Sequence, residues 1–239
     1  MAIRICDMHC HILPGIDDGA QDMEETMAAL HEAYEQGIRA VIATPHYYPE
    51  KYEPDVPTIR QLLQQVKLRC REEQLDIRLY AGQECFGYSG LVDKLNRGEV
   101  LTMAGSRYVL TEFSPDCAYV QIQQILTQLQ QGGYYPILAH FERYECLEHE
   151  ERIQELKNRG ILLQMNYDTF LKKPGWFRKS QWQKMLQDGT VDLVGSDCHG
   201  THYRSYHADD AIRWIRKNVD TEIQRKIFVK NVHQILRKE

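Results

Sequence analysis

Short apolar runs alternate with stretches of helical periodicity along the whole chain. Seven of these runs predict β-strands, at residues 3–7, 40–44, 77–82, 108–112, 136–139, 162–166 and 191–195. Asp22 with Glu25 forms the pattern of a helix capping box, and Gly37 is placed to end that helix. Further helix bounds are predicted at Gly132-Gly133, Gly160, Ser180 and Gly189. Strands that alternate with helices in this way predict an α/β fold with a parallel sheet.

Metal-ligand residue types follow the predicted strands. Six of the seven strands end at or near a His, Asp or Glu, and the remaining one ends at Asn166. A barrel gathers all its strand ends around one mouth, whereas a doubly wound sheet exposes only those at its switch point. We therefore expect one α/β barrel domain spanning residues 1–239, with the active site at the C-terminal ends of the strands.

Two histidine-containing pairs lie at the first and last predicted strands. His9 and His11 are two residues apart and share a face in an extended strand, and Asp197 with His199 repeats that spacing. A single His-x-His is also typical of a surface pair. Two such pairs on strands that become neighbours when a barrel closes favour a metal site.

Two acidic residues end apolar runs, where burial of an unpaired carboxylate is costly. These are Glu84 and Glu112, and the alternative is that each caps a loop. His46 and His140 follow apolar runs in the same way, although either alone could be a core histidine. Asp17-Asp18-Gly19 could be a simple turn, but it follows His11 closely enough to fold back over the mouth.

Composition excludes several classes of function. The 239 residues carry a net charge of -5 without a long Lys/Arg run, so we expect no nucleic-acid binding. No signal peptide or apolar run of about eighteen residues is present, which predicts a soluble, cytoplasmic protein without membrane insertion. The seven cysteines contain no Cys-x-x-Cys pair and indicate neither a disulfide framework nor a cysteine zinc site.

The segments DMHCHILPGIDDGA, GIRAVIATPHY, AGQE, SRYVLTEF, PILAHFERY and VGSDCHG carry a family resemblance. In this order they resemble the PHP (polymerase and histidinol phosphatase) superfamily of metal-dependent phosphoesterases. Within it they are most similar to the bacterial tyrosine-protein phosphatases of capsule and exopolysaccharide biosynthesis. The resemblance implies a distorted seven-stranded (β/α) barrel that holds three divalent metal ions.

The resemblance also implies which residues hold each ion. The first ion would be bound by His9, His11, Glu84 and Asp197; the second by the bridging Glu84 with Glu112 and His140; the third by Asp18, His46 and His199. The family is described as manganese-dependent, with iron and zinc also found. Mixed imidazole and carboxylate donors suit all three metals.

Clustered divalent ions explain phosphate-ester cleavage, because they acidify a bridging water and clamp the ester. The bridging hydroxide would attack phosphorus in line, while Arg143 and Arg204 hold the other phosphate oxygens. Arg143 matches the family segment, whereas Arg204 lies in a segment that agrees less. A general acid is optional for a phenolate leaving group; Asp17 or His202 is nearest, and either could instead orient a ligand.

The resemblance implies a phosphotyrosine protein substrate, the tail of a bacterial tyrosine kinase that governs polysaccharide synthesis. Aromatic residues near the mouth could flank a phosphotyrosine ring or simply pack: Tyr47, Tyr48, Phe86, Tyr88, Phe113 and Tyr144. The C-terminal stretch 209–238 predicts two helices that pack on the barrel rather than on another subunit.

Alternative functions stay open at this stage. The same metal site could hydrolyse histidinol phosphate, another small phosphate monoester or a nucleotide phosphodiester. Cys198 and Arg204 fit the Cys-x5-Arg spacing of thiol-dependent tyrosine phosphatases, and so do Cys146 and Arg152, but neither intervening segment forms a good cradle of backbone amides. The barrel could also bind metal without catalysis, although Arg143 and Arg204 beside the ions are hard to explain in that case.

Overall fold

The computed structural model describes residues 5–171, 178–201 and 204–237. Its strands are β1 (Ile5–Cys10), β2 (Ile38–Ala43), β3 (His46–Tyr47), β4 (Arg78–Ala81), β5 (Glu84–Phe86), β6 (Tyr108–Glu112), β7 (Tyr135–Leu138), β8 (Leu162–Asn166) and β9 (Leu193–Gly195). They pair in parallel, in the orders β1-β2-β4 and β3-β5-β6-β7-β8-β9. The predicted α/β fold with a parallel sheet is confirmed.

The sheet curls until its first and last strands are neighbours. The backbone N–H of His11 donates to the carbonyl of Cys198, and the N–H of Asp197 donates to the carbonyl of His9, both at 2.8 Å. Elsewhere Thr44-Pro45 separates β2 from β3, and Gly82-Gln83 separates β4 from β5. The two groups of strands are therefore consecutive parts of a single curled parallel sheet.

The helices are α1 (Met23–Glu35), α2 (Val56–Glu72), α3 (Leu91–Asn96), α4 (Tyr119–Gln131), α5 (Glu150–Asn158), α6 (Arg178–Gln187), α7 (Ala208–Asn218), α8 (Thr221–Arg225) and α9 (Asn231–Leu236). Asp22 caps α1 by accepting from the backbone N–H of Glu25 at 2.8 Å, as the sequence predicts. The Glu25 carboxylate accepts from the N–H of Gln21 rather than that of Asp22, so the reciprocal half of the capping box is shifted by one residue.

The second predicted C-terminal helix is interrupted. A π-helical segment, Lys226–Lys230, joins α8 to α9. Val232 and Ile235 of α9 are buried in a cluster with Met8 of β1 and Leu193 of β9. This helix thus packs on the inner residues of the curled sheet, as the sequence predicts, because its apolar face lies toward that cluster.

Several element bounds differ by one or more residues from the sequence expectation, and the difference at β1 matters for the site. Strand β1 runs to Cys10 rather than ending at Asp7, so His9 lies within the strand; the predicted start of this strand lies before the described residues. The sequence also predicts loops at residues 47–57 and 172–179. The first contains an antiparallel bridge between Tyr48 and Tyr52, and α2 begins within it at Val56. Residues 172–177 of the second lie outside the described residues.

Candidate metal centre

The nine predicted ligands lie together on the strands and on the turns that follow them. Eight of them form three overlapping clusters, in each of which the ligand atoms lie within 4.8 Å of one another. The clusters are His9, His11, Glu84 and Asp197; His46, Glu84 and Glu112; and His11, Asp18, His46 and His199. The ninth residue, His140, contacts Glu84 directly, with Nε2 2.9 Å from Oε1.

The first cluster is buried and matches the predicted first ligand set. Nε2 of His9 and Nε2 of His11 lie 3.1 and 3.2 Å from Glu84 Oε2, and each lies 3.5 Å from Asp197 Oδ1. The two imidazole nitrogens are 3.1 Å apart. Ligands bound to one ion at about 2.1 Å lie roughly 3.0–3.4 Å from each other, so these spacings fit one ion with four ligands.

The second cluster differs from the predicted set in one residue. His46 Nδ1 lies 2.9 Å from Glu112 Oε1 and 3.1 Å from Glu84 Oε2. The predicted ligand His140 lies 3.8 Å from Glu112 Oε2, on the other side of the Glu84 carboxylate. Glu84 therefore lies between the first and second clusters, where the family resemblance places a bridging carboxylate.

The third cluster contains the predicted Asp18, His46 and His199, and His11 joins them. His46 Nε2 is 3.3 Å and His199 Nε2 is 3.7 Å from Asp18 Oδ1, and the His11 and His199 rings stack at 4.1 Å. The Asp18 side chain is 45 % exposed, so this cluster opens to solvent. His46 thus faces two clusters with its two ring nitrogens, which the spacing along the chain does not reveal.

The Nδ1 atom of four of these histidines is engaged behind the site. His9 Nδ1 lies 3.0 Å from Gln164 Oε1, and His11 Nδ1 lies 2.8 Å from Asp17 Oδ2. His199 Nδ1 lies 2.8 Å from the Asp197 carbonyl oxygen, and His140 Nδ1 lies 3.4 Å from the Tyr144 hydroxyl. In each ring Nε2 is then left to face the clusters. Metal-binding histidines are typically held through the second nitrogen in this way.

Two buried polar atoms of the site face each other. They are His46 Nδ1 and Glu84 Oε2, 3.1 Å apart. Burial would lower the pKa of His46, but hydrogen bonds to Asp18 and Glu112 raise it to about 12. A cation that replaced the proton on His46 Nδ1 would bind both this nitrogen and the Glu84 oxygen, so the donor set fits metal binding.

In the metal-free protein, the imidazoles of His11 and His199 differ in charge. Burial and the charge of His46 oppose protonation of His11, yet Asp17 and Glu84 raise its pKa to about 10. Burial and the charge of His11 lower the pKa of His199 to about 3. Despite its burial, Glu84 has a pKa well below the usual range because of the charge of His9.

The predicted catalytic residues Arg143 and Arg204 both lie against Asp197. Arg143 Nη2 donates to Asp197 Oδ2 at 2.6 Å, and Arg204 Nη1 lies 3.6 Å from the same oxygen and 3.1 Å from His199 Nε2. The two arginines are 36 % and 43 % exposed. They are therefore cations at the rim of the site with surface left to contact a ligand.

Asp17 lies behind His11. Its side chain is 0 % exposed; Oδ2 accepts from His11 Nδ1 and from the backbone N–H of His46, and Oδ1 accepts from that of Gly19. With both oxygens engaged on the side away from the clusters, Asp17 is placed to orient His11 rather than to donate a proton to a leaving group. His202, the other candidate, lies outside the described residues.

A family model for capsular polysaccharide synthesis proteins, CpsB/CapC, matches residues 5–237. The chain belongs to the CpsB/CapC family. Tyrosine-protein phosphatase CpsB of Streptococcus pneumoniae is 32% identical to this member over 237 residues, which cover 96% of this chain and 97% of the relative. Tyrosine-protein phosphatase YwqE of Bacillus subtilis is 29% identical over 234 residues, covering 98% and 92%.

One solved structure agrees with this assignment, and a more distant one shares the fold. One from work on YwqE from Bacillus subtilis and CpsB from Streptococcus pneumoniae, described as unique metal-dependent tyrosine phosphatases, has a TM-score of 0.88 at 28% identity and covers 98% of this chain and 94% of the other. A phosphotriesterase homology protein from Escherichia coli has a TM-score of 0.61 at 10% identity, covers 98% of each chain and shares the fold alone.

Cys198 of this CpsB/CapC member is not placed as a nucleophile. Cys198 is 0% exposed, and its thiol donates to the carbonyl of Gly200 at 3.3 Å. The Arg204 guanidinium contacts His199 and Asp197, whereas a thiol mechanism needs it to bind the phosphate beside the Cys198 sulfur. Both observations argue against a thiol-dependent mechanism and agree with the metal-dependent relatives.

Sequence reasoning missed two buried polar residues of the site, Gln164 and Asn166 of β8. Gln164 Oε1 accepts from the backbone N–H of His140, and Asn166 Nδ2 donates to Asp197 Oδ2. The available signal was a pair of amides two residues apart in an otherwise apolar strand, since this spacing puts both on one face.

Strained backbone accompanies two of the candidate ligands. His140 has φ 30° and Asp197 has φ 52°, in the left-handed region that residues other than glycine rarely adopt. Each follows a strand, β7 or β9, so the turn aims the side chain into the site. Such strain persists only where surrounding contacts hold it.

Some of the aromatic residues predicted to lie near the mouth are instead buried in the hydrophobic core. Tyr47, Phe113 and Tyr144 are buried, whereas Tyr48 and Phe86 are half-buried and stack at 4.1 Å. Phe86 and Phe113 also line a cleft of about 470 Å³. Phe86 lies two residues after Glu84, and Phe113 directly follows Glu112, so the cleft adjoins the second cluster.

Within the described residues, no helix has the length and apolar character needed to cross a bilayer.

Proposed function

We propose that this protein is a metal-dependent protein-tyrosine phosphatase that hydrolyses phosphotyrosine in a protein substrate. The observation that carries the proposal is the convergence of imidazole Nε2 atoms and carboxylates into three clusters, with Arg143 and Arg204 beside them. Relatives that align over nearly the whole chain are tyrosine-protein phosphatases.

The fold is a distorted seven-stranded barrel in this proposal. Strands β2 and β3 count as one interrupted strand, and so do β4 and β5. Hydrogen bonds that join His9 and His11 to the residues that follow β9 close the circle. The active site lies at the C-terminal ends of these strands. Support comes from the ligand positions, which are near or beyond the carboxyl end of each contributing strand.

Three divalent ions would be bound. The first would be held by His9, His11, Glu84 and Asp197, and the second by Glu84, Glu112, His140 and the Nδ1 atom of His46, which faces Glu84. The third would be held by Asp18, His46 and His199, close to His11. The preferred metal is Mn²⁺, with iron or zinc as alternatives of the same donor chemistry. When bound, such ions lower the pKa of water and neutralise charge on the phosphoryl group.

The residues of this chain bind and orient the ester. Arg143 and Arg204 each keep N–H donors beyond their contacts with Asp197 and hold phosphate oxygens at the rim. Asp17 keeps the proton of His11 on Nδ1 and so keeps Nε2 available as a ligand atom. A phenol leaves readily enough that no dedicated general acid is required.

The substrate is the phosphotyrosine-bearing tail of a bacterial tyrosine kinase that controls polysaccharide synthesis. The membership in a capsular polysaccharide synthesis family supports this choice, and an open cleft lined by Phe86 and Phe113 supports a peptide rather than a fully enclosed small molecule. The expectation of a cytoplasmic enzyme remains a prediction.

The deciding experiment measures hydrolysis of a phosphotyrosyl peptide before and after removal of metal. EDTA is expected to abolish activity, and Mn²⁺ to restore it. Chelator-resistant activity that is lost in Cys198→Ser would overturn the metal mechanism. A faster rate on histidinol phosphate than on the peptide would overturn the substrate, while metal binding without hydrolysis of either would indicate a non-catalytic module.

A further inference from the structure

Strand β8 supplies none of the nine predicted ligands, yet it places two buried amides behind the metal centre. Gln164 is 0% and Asn166 is 1% exposed. They are two residues apart in the strand, so both side chains lie on one face. A buried amide needs several hydrogen-bond partners, and here the partners are the metal-ligand candidates themselves.

The backbone of His140 fixes the orientation of the Gln164 amide. Its N–H, which can only donate, lies 2.9 Å from Gln164 Oε1, so the oxygen and not the nitrogen of the amide occupies this position. His9 Nδ1 lies 3.0 Å from the same oxygen. Because that oxygen can only accept, Nδ1 of His9 carries a proton, and Nε2, which faces Glu84 and Asp197, is the nitrogen whose lone pair is available to a metal once the ring is neutral.

The other end of the same amide orients Asn166. Gln164 Nε2 donates to Asn166 Oδ1 at 2.9 Å, which leaves Asn166 Nδ2 to donate to Asp197 Oδ2 at 3.0 Å. Arg143 donates to this same carboxylate oxygen. Oδ2 of Asp197 is thereby occupied, and Oδ1 is the oxygen that faces His9 and His11.

We infer that Gln164 and Asn166 are positioning residues that determine the tautomer of His9 and the ligating oxygen of Asp197. Their hydrogen bonds run in one direction from β7 to β9 and hold ligands from β1 and β9 in a single arrangement. The inference deepens the proposed function and rests on it. It also explains why the strand without a ligand is polar on its inner face.

Three variants and a control separate this role from general stability. Gln164→Leu removes both ends of the amide at similar volume, and Asn166→Leu removes only the arm to Asp197. Gln164→Glu keeps an acceptor for His9 and His140 but loses the donor to Asn166. Asn231→Leu is the matched control, because Asn231 is a buried amide that donates to a carbonyl, that of Asp192, away from the clusters.

The first measurement is the dissociation constant for Mn²⁺, determined against a competing chelator with the full-length protein. Gln164→Leu and Asn166→Leu are expected to weaken binding about 10- to 100-fold, as is usual when a partner behind a metal ligand is lost. Gln164→Glu is expected to restore most of the affinity lost in Gln164→Leu. The control is expected to lower the melting temperature without changing affinity.

The second measurement reports the tautomer directly. In protein with ¹⁵N-labelled histidine and bound Zn²⁺, which is diamagnetic, His9 is expected to show a protonated Nδ1 that exchanges slowly with solvent. The signal is expected to persist in Gln164→Glu and to be lost in Gln164→Leu. A wild-type His9 protonated at Nε2 would overturn the inference.

The outcomes distinguish this inference from the proposed function. Wild-type protein that binds no Mn²⁺ and hydrolyses no phosphotyrosyl peptide would contradict the proposed function itself. An active wild-type enzyme whose Gln164→Leu and Asn166→Leu variants bind Mn²⁺ as tightly as wild type would contradict the inference alone. Equal weakening in Asn231→Leu would also contradict it, because the effect would then be one of stability.

Discussion

Substitution of Gly195 by alanine should displace His9 and thereby impair catalysis without unfolding the protein. A Cβ atom at position 195 would lie 2.7 Å from the Cβ of His9 and 3.2 Å from Gln164 Nε2. Aliphatic carbons rest at about 3.5–4.0 Å, so β1 must yield by roughly 1 Å at His9. Overpacking of this kind costs about 1–3 kcal/mol in stability.

The expected effect on activity is larger than the effect on stability. A shift of about 1 Å at a reacting group can lower the rate about 10²-fold. The assay is kcat/KM for a phosphotyrosyl peptide at saturating Mn²⁺, with the melting temperature and Mn²⁺ affinity measured on the same preparation. We expect Gly195→Ala to lose about 10²-fold in kcat/KM while it still melts cooperatively.

Gly160→Ala is the matched control. Gly160 has φ 78°, and among the described residues other than its two chain neighbours no atom lies within 4 Å of the position that a Cβ methyl group would take there. Alanine at this position therefore costs only backbone strain of about 1 kcal/mol, remote from the clusters. It should lose comparable stability and keep its activity. Full activity in Gly195→Ala, or an equal loss in Gly160→Ala, would refute the argument that His9 has no room to move.

Three further outcomes follow from the site. Binding of Mn²⁺ at pH 7 should release at least two protons, because His11 and His46 have pKa values raised to about 10 and about 12 in the metal-free protein and a coordinating imidazole must be neutral. Affinity should therefore rise with pH, and calorimetry in buffers of different ionisation enthalpy would detect no proton release if this reasoning is wrong. Cys198→Ser should keep most of the wild-type kcat/KM, since a thiol nucleophile alone predicts complete loss. Arg143→Met and Arg204→Met should each lower kcat/KM about 10- to 100-fold, and an unchanged value would exclude that arginine as a phosphate ligand.

The strands, and the convergence of most candidate ligands, could be predicted from the sequence because most of these residues lie at or near the end of an apolar run. Strands β6 and β8 have the predicted bounds, Tyr108–Glu112 and Leu162–Asn166. The alternation of strand and helix brings successive strand ends to one side of a parallel sheet, so residues far apart in the chain are predictable neighbours.

What could not be predicted depends on side-chain direction. His46 follows β2 by three residues, and nothing in its spacing indicates that its two ring nitrogens face different clusters. Asp17 is equally compatible with a general acid and with an orienting residue until its oxygens are located behind His11. These distinctions are rotations of one side chain, to which hydrophobic periodicity is insensitive.

The arrangement of the site implies that metal binding and folding are coupled. In the metal-free protein, the raised pKa values of His11 and His46 place two imidazolium groups with rings 4.4 Å apart at neutral pH, and the carboxylates of Glu84 and Glu112 partly compensate them. Left-handed backbone at His140 and Asp197 adds strain of order 1–3 kcal/mol each. The rest of the barrel must therefore hold the ligands in place against both costs. A cation that replaces these protons would relieve the repulsion between the imidazolium rings, so the site is poised to bind metal and to gain stability when it does.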